Sequence, residues 1–191
     1  MNNNTSATGG TLVAVPEPDA VVLRRFLQGV FAAITEIPGN LVRPRWQRNP
    51  VASPDFDEDW MAFGITRRAV DGSIHVQQKD DTGSTVRYDE TLTVLCSFYG
   101  PKCEVKAEML RDGLGINQNR ELMFLAGMGI NSFGDILHVP EQANDQWVDR
   151  CDLELLVSRE VSKLYKILSF GSAIGAIITE TMTLPFEVKQ P

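Results

Sequence analysis

Histidine is almost missing from this chain: His75 and His138 are the only two. Neither has a second histidine or a cysteine at ligand spacing, which argues against a zinc centre. Cysteine is scarce as well. Cys96, Cys103 and Cys151 are odd in number and include no C-x-x-C pair, as expected of a reduced, disulfide-free protein made in a cytoplasm. Basic charge is also in deficit: 18 Lys and Arg stand against 25 Asp and Glu, a formal net charge of -7. A general nucleic-acid binder needs a basic surface for its phosphate contacts, so this balance argues against one. No long hydrophobic run is present. The longest, Ile167 to Ile178, is interrupted by Ser169, Gly171, Ser172 and Gly175 and stops near Glu180, short of the roughly 20 residues a membrane span requires. The opening MNNNTSATGGTLV has neither a basic n-region nor an apolar h-region before Pro16, so no signal segment is expected there.

Motifs of catalysis are lacking too. GMGINSFG at 127–134 does not have G-x-G-x-x-G spacing. FGSAIG at 170–175 has neither the lysine of a phosphate loop nor the spacing of a nucleophile elbow. Cys103 lies near a helix start, but as a lone thiol without a base it reads as structural. Asp55, Asp57, Glu58 and Asp59 lack the spacing and the glycine of a calcium loop, and read as a solvated loop or a partner for arginines. No catalytic, cofactor-binding or metal site emerges, and no cofactor is expected.

What is present is ordinary core material: 43% of the 191 residues are hydrophobic. Residues 1–15, small and polar, are expected to form a flexible N-terminal arm, and 16–191 a single α+β domain. Asp19 is placed to cap a helix whose stripe is Leu23, Phe26, Leu27, Val30, Phe31 and Ile34, ended by Pro38-Gly39-Asn40. Strands are expected over 60–67 and 73–78, joined by a hairpin turn at Asp71-Gly72, and over 87–99 with Leu92, Val94, Cys96 and Phe98 on one face. Gly100-Pro101 opens a second helix, with Val105, Met109 and Leu110 inward and Gly113 and Gly115 closing it; 117–126 suits a third. Residues 127–140 return to loop and strand. In 147–159 the positions Trp147, Cys151, Leu153, Leu155 and Val157 alternate as a half-buried strand. Residues 160–172 fit helix or strand equally, and 181–188 suits a final edge strand carrying Pro185. The sum is α+β: an antiparallel sheet with helices packed on one side.

One segment stands out. LVRPRWQRNP, 41–50, concentrates arginine around tryptophan in a stretch that proline keeps out of a helix. Pro44 pushes Arg43 toward extended backbone, so Arg43 and Arg45 are expected on one face and Pro44 and Trp46 on the other. Residues 41–68 hold five arginines (43, 45, 48, 67, 68) and four acids (55, 57, 58, 59), a surplus of one. Such a region neutralises itself or a neighbouring copy rather than forming a phosphate track. Two readings stay open: an internal brace between loop and sheet, or a subunit interface of Arg43, Arg45, Trp46 and Arg48 with Asp55, Asp57, Glu58 and Asp59. A small anionic-ligand or nucleic-acid binding protein is the alternative from another class.

PGNLVRPRWQRNP (38–50), DFDEDWMAFGIT (55–66), TLTVLCSFYGP (91–101), MLRDGLGINQNRE (109–121), Val139-Pro140 and WVDRCDLELLVSRE (147–160) together resemble the phage neck and tail terminator proteins of tailed phages and prophages. The resemblance covers about residues 20–170. It implies a structural virion protein of the neck and tail, made in the host bacterial cytoplasm, and not an enzyme. Such proteins are expected to form a homo-oligomeric ring, commonly six-fold, that caps the tail tube and offers a surface to the head. The implied partners are copies of itself, the tail tube protein, a head-completion or connector protein and a tail sheath where one exists, with DNA only passing through and no membrane. The family's recurrent motif falls on Arg43, Pro44, Arg45, Trp46 and Gln47, and it carries no shared catalytic residues. A head-to-tail stopper with the same ring logic is the runner-up.

Overall fold

The computed structural model describes residues 6–8, 10–15, 20–47, 52–55, 57–80, 83–143, 145–167, 172–178 and 183–189. The first helix, α1, runs Ala20–Thr35. Leu23, Leu27 and Phe31, spaced by four, are buried, and Phe26, Val30 and Ile34 pack against them, which is the expected stripe. The helix ends where Thr35 Oγ1 donates to Phe31 O (2.7 Å) and accepts from Ile37 N–H (3.4 Å), and Glu36 turns left-handed at φ 57°. Asp19, the expected cap, lies outside the described residues.

The main sheet has five strands. In chain order they are β1 Val42–Pro44, β2 Trp60–Asp80, β3 Gly83–Tyr99, β4 Met128–His138 and β7 Arg150–Tyr165, arranged β1-β2-β3-β7-β4. Between β4 and β7 in the chain lie β5 Glu141–Ala143 and β6 Gln146–Val148, a two-stranded antiparallel pair. β4 runs antiparallel to β7, but β1 is parallel to β2, with Val42 opposite Met61. The sheet is therefore mixed, not wholly antiparallel. The physical reason is the connection: a parallel neighbour needs a crossover rather than a tight turn, and residues 45–59 supply its length.

Alternation decides what is buried. Met61 and Phe63 of β2, Leu92, Val94, Cys96 and Phe98 of β3, and Cys151, Leu153, Leu155 and Val157 of β7 share one core. The same core takes Ala107, Leu110 and Leu114 of α2, Cys103–Gly115, and Met123 of α3, Asn117–Leu125. The helices cover this face, as expected for α+β. Each large side chain buried here contributes roughly 1.5–3 kcal/mol of transfer free energy.

Three expectations are corrected. Asp71-Gly72 is not a turn: β2 runs straight through it. Gly72 has the positive φ (79°) that a turn would use, but it takes it inside the strand, where Asp71 accepts from Thr91 Oγ1 of β3. β2 continues to Asp80, and β3 begins at Gly83. Val105 does not face inward; it is 51% exposed, because Cys103, Ala107, Leu110 and Leu114 set the buried line of α2 and Val105 lies about 200° around the helix from Cys103. Trp147 is 73% exposed. It belongs to β6, where Val148 is the buried residue, and the break at Asp149 resets the alternation before β7 begins.

The chain divides into two compact units. One comprises Pro18–Gly72 and Asp89–Val161 and holds the helices and the core just described. The other comprises Met1–Glu17, Ser73–Tyr88 and Ser162–Pro191. In it, β8 Ser172–Ile178 pairs antiparallel with β9 Thr183–Lys189, Pro185 standing opposite Ala176. There too the Ser6 amide donates to Lys166 O (3.1 Å) and the Val15 amide to Tyr165 Oη (3.3 Å). No described helix is long and apolar enough to cross a membrane.

Candidate functional site

The sheet face away from the helices carries the polar chemistry. Because residues 92, 94, 96 and 98 of β3 enter the core, Ser97 and Tyr99 must point to the other side. The same rule sends Arg150 and Asp152 of β7 there. Tyr99, Ala62 and Val148 form a small second cluster with Trp60 and Ala143 packed on it.

Two arginines sandwich two aromatics in this cluster. The Trp60 and Tyr99 rings are stacked, centroids 4.1 Å apart and planes 6° from parallel. Arg43 Cζ lies 5.8 Å from the Trp60 centroid and Arg150 Cζ 5.7 Å from that of Tyr99. Each cation–π contact of this kind is worth about 0.5–2 kcal/mol, depending on desolvation.

Beside the stack, the buried Ser97 hydroxyl is a hub. It donates to Asp152 Oδ1 and accepts from Arg45 Nη2 and, at 3.4 Å, from Arg150 Nη2. Arg150 forks onto Asp152 through Nε (2.9 Å) and Nη2 (2.8 Å), and its Nη1 donates to Glu141 (2.8 Å). The Asp152 hydrogen bond, opposed by desolvation, is the main reason the Arg150 proton is held more tightly than usual. Burial pushes the Tyr99 phenol up, with Arg150 partly opposing it. Arg45 Nε is buried without a partner, so that guanidinium is placed at a cost.

The expected site residues are therefore distributed over several tasks. Arg43 donates to Ala52 O (2.6 Å) and Asn40 O (3.3 Å) while lying over Trp60. Arg45 reaches inward to Ser97. Strand β1 ends at Pro44, and Trp46 turns left-handed at φ 58°. Its indole thereby comes back over Gly64, where an added Cβ would meet Cζ3 at 2.6 Å. The expected alternation thus stops at Pro44, and Trp46 shares a sheet face with Arg45. It remains 69% exposed. Gln47 Nε2 closes the turn on Pro44 O (2.9 Å). Arg48 lies outside the described residues.

The acids do not gather around these arginines. Asp55, Asp57 and Glu58 are exposed, and Asp55 lies at a cavity of about 260 Å³ walled by Trp60, Tyr99, Val148 and Glu141. Asp59 accepts the Lys102 amide (2.9 Å) just ahead of α2. Gly100, at φ 101°, makes that approach possible: a Cβ there would sit 2.7 Å from Glu58 O and 2.8 Å from Asp59 Oδ1. Among the described residues, none of the four acids is ion-paired with Arg43 or Arg45. Reasoning from the sequence missed Ser97, Tyr99, Glu141, Arg150 and Asp152. Ser97 and Asp152 are polar residues between buried neighbours on β3 and β7, but Thr93 and Glu154 are too, so alternation alone did not single them out.

A sheet face closed by stacked rings and shared guanidinium bonds is a brace. Over residues 21–181 the chain matches the family of phage neck terminator proteins, and it belongs to that family. It is accordingly a structural protein of the phage neck, with its place in the neck and tail of the virion among other neck and tail components. A comparison with curated proteins finds no match.

Proposed function

We propose that this protein ends the tail. Copies assemble into a ring, six-fold in the simplest form, on the finished tail tube; the ring leaves no template for further growth and presents its opposite rim to a head-completion protein. The family match over residues 21–181 carries this reading. Exposed apolar side chains supply contact surface: Trp46 at 69%, Ile74 and Val76 on β2 at 60% and 61%, and Phe124 and Leu125 of α3 at 77% and 76%. The two-stranded β8–β9 sheet leaves each strand one edge outside its ladder, and such an edge can add to the last ring of tube subunits.

Within the ring, the segment of Arg43, Arg45, Trp46 and Arg48 faces Asp55, Asp57, Glu58 and Asp59 of the next copy, one face meeting a different one. Trp46 is the residue to test. A left-handed non-glycine conformation costs about 1–2 kcal/mol, and in the monomer most of this ring is in solvent, so an assembled partner supplies what folding does not. Six copies at -7 each carry -42, and acidic walls would let DNA slide rather than hold it.

The test is to add the purified protein to polymerising tail tube protein and measure tube lengths by electron microscopy. Short, capped tubes are expected with the native chain, and tubes of uncontrolled length with Trp46→Ala. Native protein that leaves tube length unchanged would oppose the proposal. Arg45→Glu is a poorer probe, because it would set a carboxylate beside Ser97 and Asp152.

A further inference from the structure

Cys103 does not stand alone, as its sequence neighbourhood suggests. Its Sγ lies 2.9 Å from Cys151 Sγ, both side chains buried between the start of α2 and β7. His138 is opposite Cys151 across the β4–β7 ladder, with Nδ1 3.7 Å and Nε2 3.8 Å from Cys151 Sγ. Glu104 Oε2 is 3.4 Å from His138 Nε2. Thirteen residues separate His138 from Cys151 and 48 separate the two cysteines, so no spacing rule would have joined them.

We propose that Cys103 and Cys151 are a latent disulfide, an oxidation site that stays a dithiol in a reducing cytoplasm and closes in the released particle. Two thiolates bound to one tetrahedral zinc would be about 3.8 Å apart. The observed sulfurs are closer than that and need approach by only about 0.9 Å to reach a bond of about 2.05 Å. The third cysteine, Cys96, is buried without such a partner and stays free.

The chemistry requires a two-electron oxidant, and the burial of the pair selects a small one, a peroxide. Cys103, at the first turn of α2, is the attacking sulfur. Its thiolate attacks a peroxide oxygen, the O–O bond breaks, and hydroxide leaves and takes up the released proton as water. Cys151 Sγ then attacks the sulfur of the resulting sulfenic acid, forming S–S and breaking S–O. His138, with both ring nitrogens within 4 Å of Cys151 Sγ, accepts the Cys151 proton and passes it to the departing hydroxide. In sum, two thiols and one hydrogen peroxide give one disulfide and two waters. In the resting state burial, then the hydrogen bond with Cys103, push the Cys151 thiol up to about 12, so the pair is quiet until oxidant reaches it.

The folded protein is treated with a small excess of hydrogen peroxide, quenched, denatured without reductant, and its thiols counted and mapped by mass spectrometry. A fall from the three free thiols to one is expected, with a mass loss of two hydrogens, a Cys103–Cys151 cross-linked peptide and Cys96 unmodified. Dithiothreitol restores three, and the oxidised form melts at a higher temperature than the reduced. Three thiols after treatment, a bridge that includes Cys96, or sulfinic acid in place of a bridge would each overturn the proposal.

Discussion

The Trp60 ring of β2 lies flat on Tyr99 of β3, centroids 4.1 Å apart, on the face the helices leave open. Arg43 closes one end of the stack and Arg150 the other. Trp60→Ala is expected to cost stability near the lower end of the ~3–5 kcal/mol seen for large aromatics, since Trp60 is only half-buried. Trp60→Phe should recover most of that. Urea midpoints of the three proteins check it, and equal midpoints would remove the stack from the account.

Ser97 offers a sharper test of the brace. Its hydroxyl satisfies Asp152 and Arg45 together, and alanine would leave both short of a partner in a buried place. Ser97→Ala is expected to destabilise by about 1–3 kcal/mol. An unchanged urea midpoint would mean that the network adds nothing to folding.

Helix packing depends on one missing methyl. A Cβ on Gly113 would lie 2.4 Å from Ile34 Cγ2, so α1 and α2 meet only because position 113 is glycine. Gly113→Ala should cost about 1–3 kcal/mol by overpacking. Ile34→Ala added to it should return part of that loss, and thermal melts of the double-mutant set measure the coupling.

Alkaline pH should weaken the fold through its thiols. Burial is the largest cause raising the Cys151 thiol from 9.0 to about 12, and it raises Cys96 above its ordinary range. Between about pH 9 and 12 the unfolded thiols lose protons that the folded ones keep. The folded state therefore binds more protons there, and stability falls as pH rises. It is fully present below about pH 9. Cys151→Ala should flatten the decline in melting temperature, and a decline of the same steepness would contradict this origin.

Much of the fold was legible because it rests on periodicity. The stripe of α1 and the alternations of β3 and β7 place residues in the core by spacing alone, and Leu27, Val94 and Leu153 are all 0% exposed. What spacing cannot show is where a period breaks. Gly72 inside β2 and Asp149 between β6 and β7 are one-residue events, and each moved an expectation. The brace was illegible for another reason: Arg45 follows β1, Ser97 lies on β3 and Arg150 on β7, and only the sheet order brings them together. The cysteine pair was hidden in the same way. The family resemblance, carried by local motifs such as RPRWQ and LCSFYGP, survived because it needs no tertiary knowledge.

The central claim is that this protein ends the tail, and the direct measurement is electron microscopy of particles made by a phage or induced prophage from which its gene is deleted. Overlong or ragged tails detached from full heads are the predicted result. Tails of normal length that fail to join heads would place the protein at a stopper position instead, and normal infectious virions would contradict the account outright.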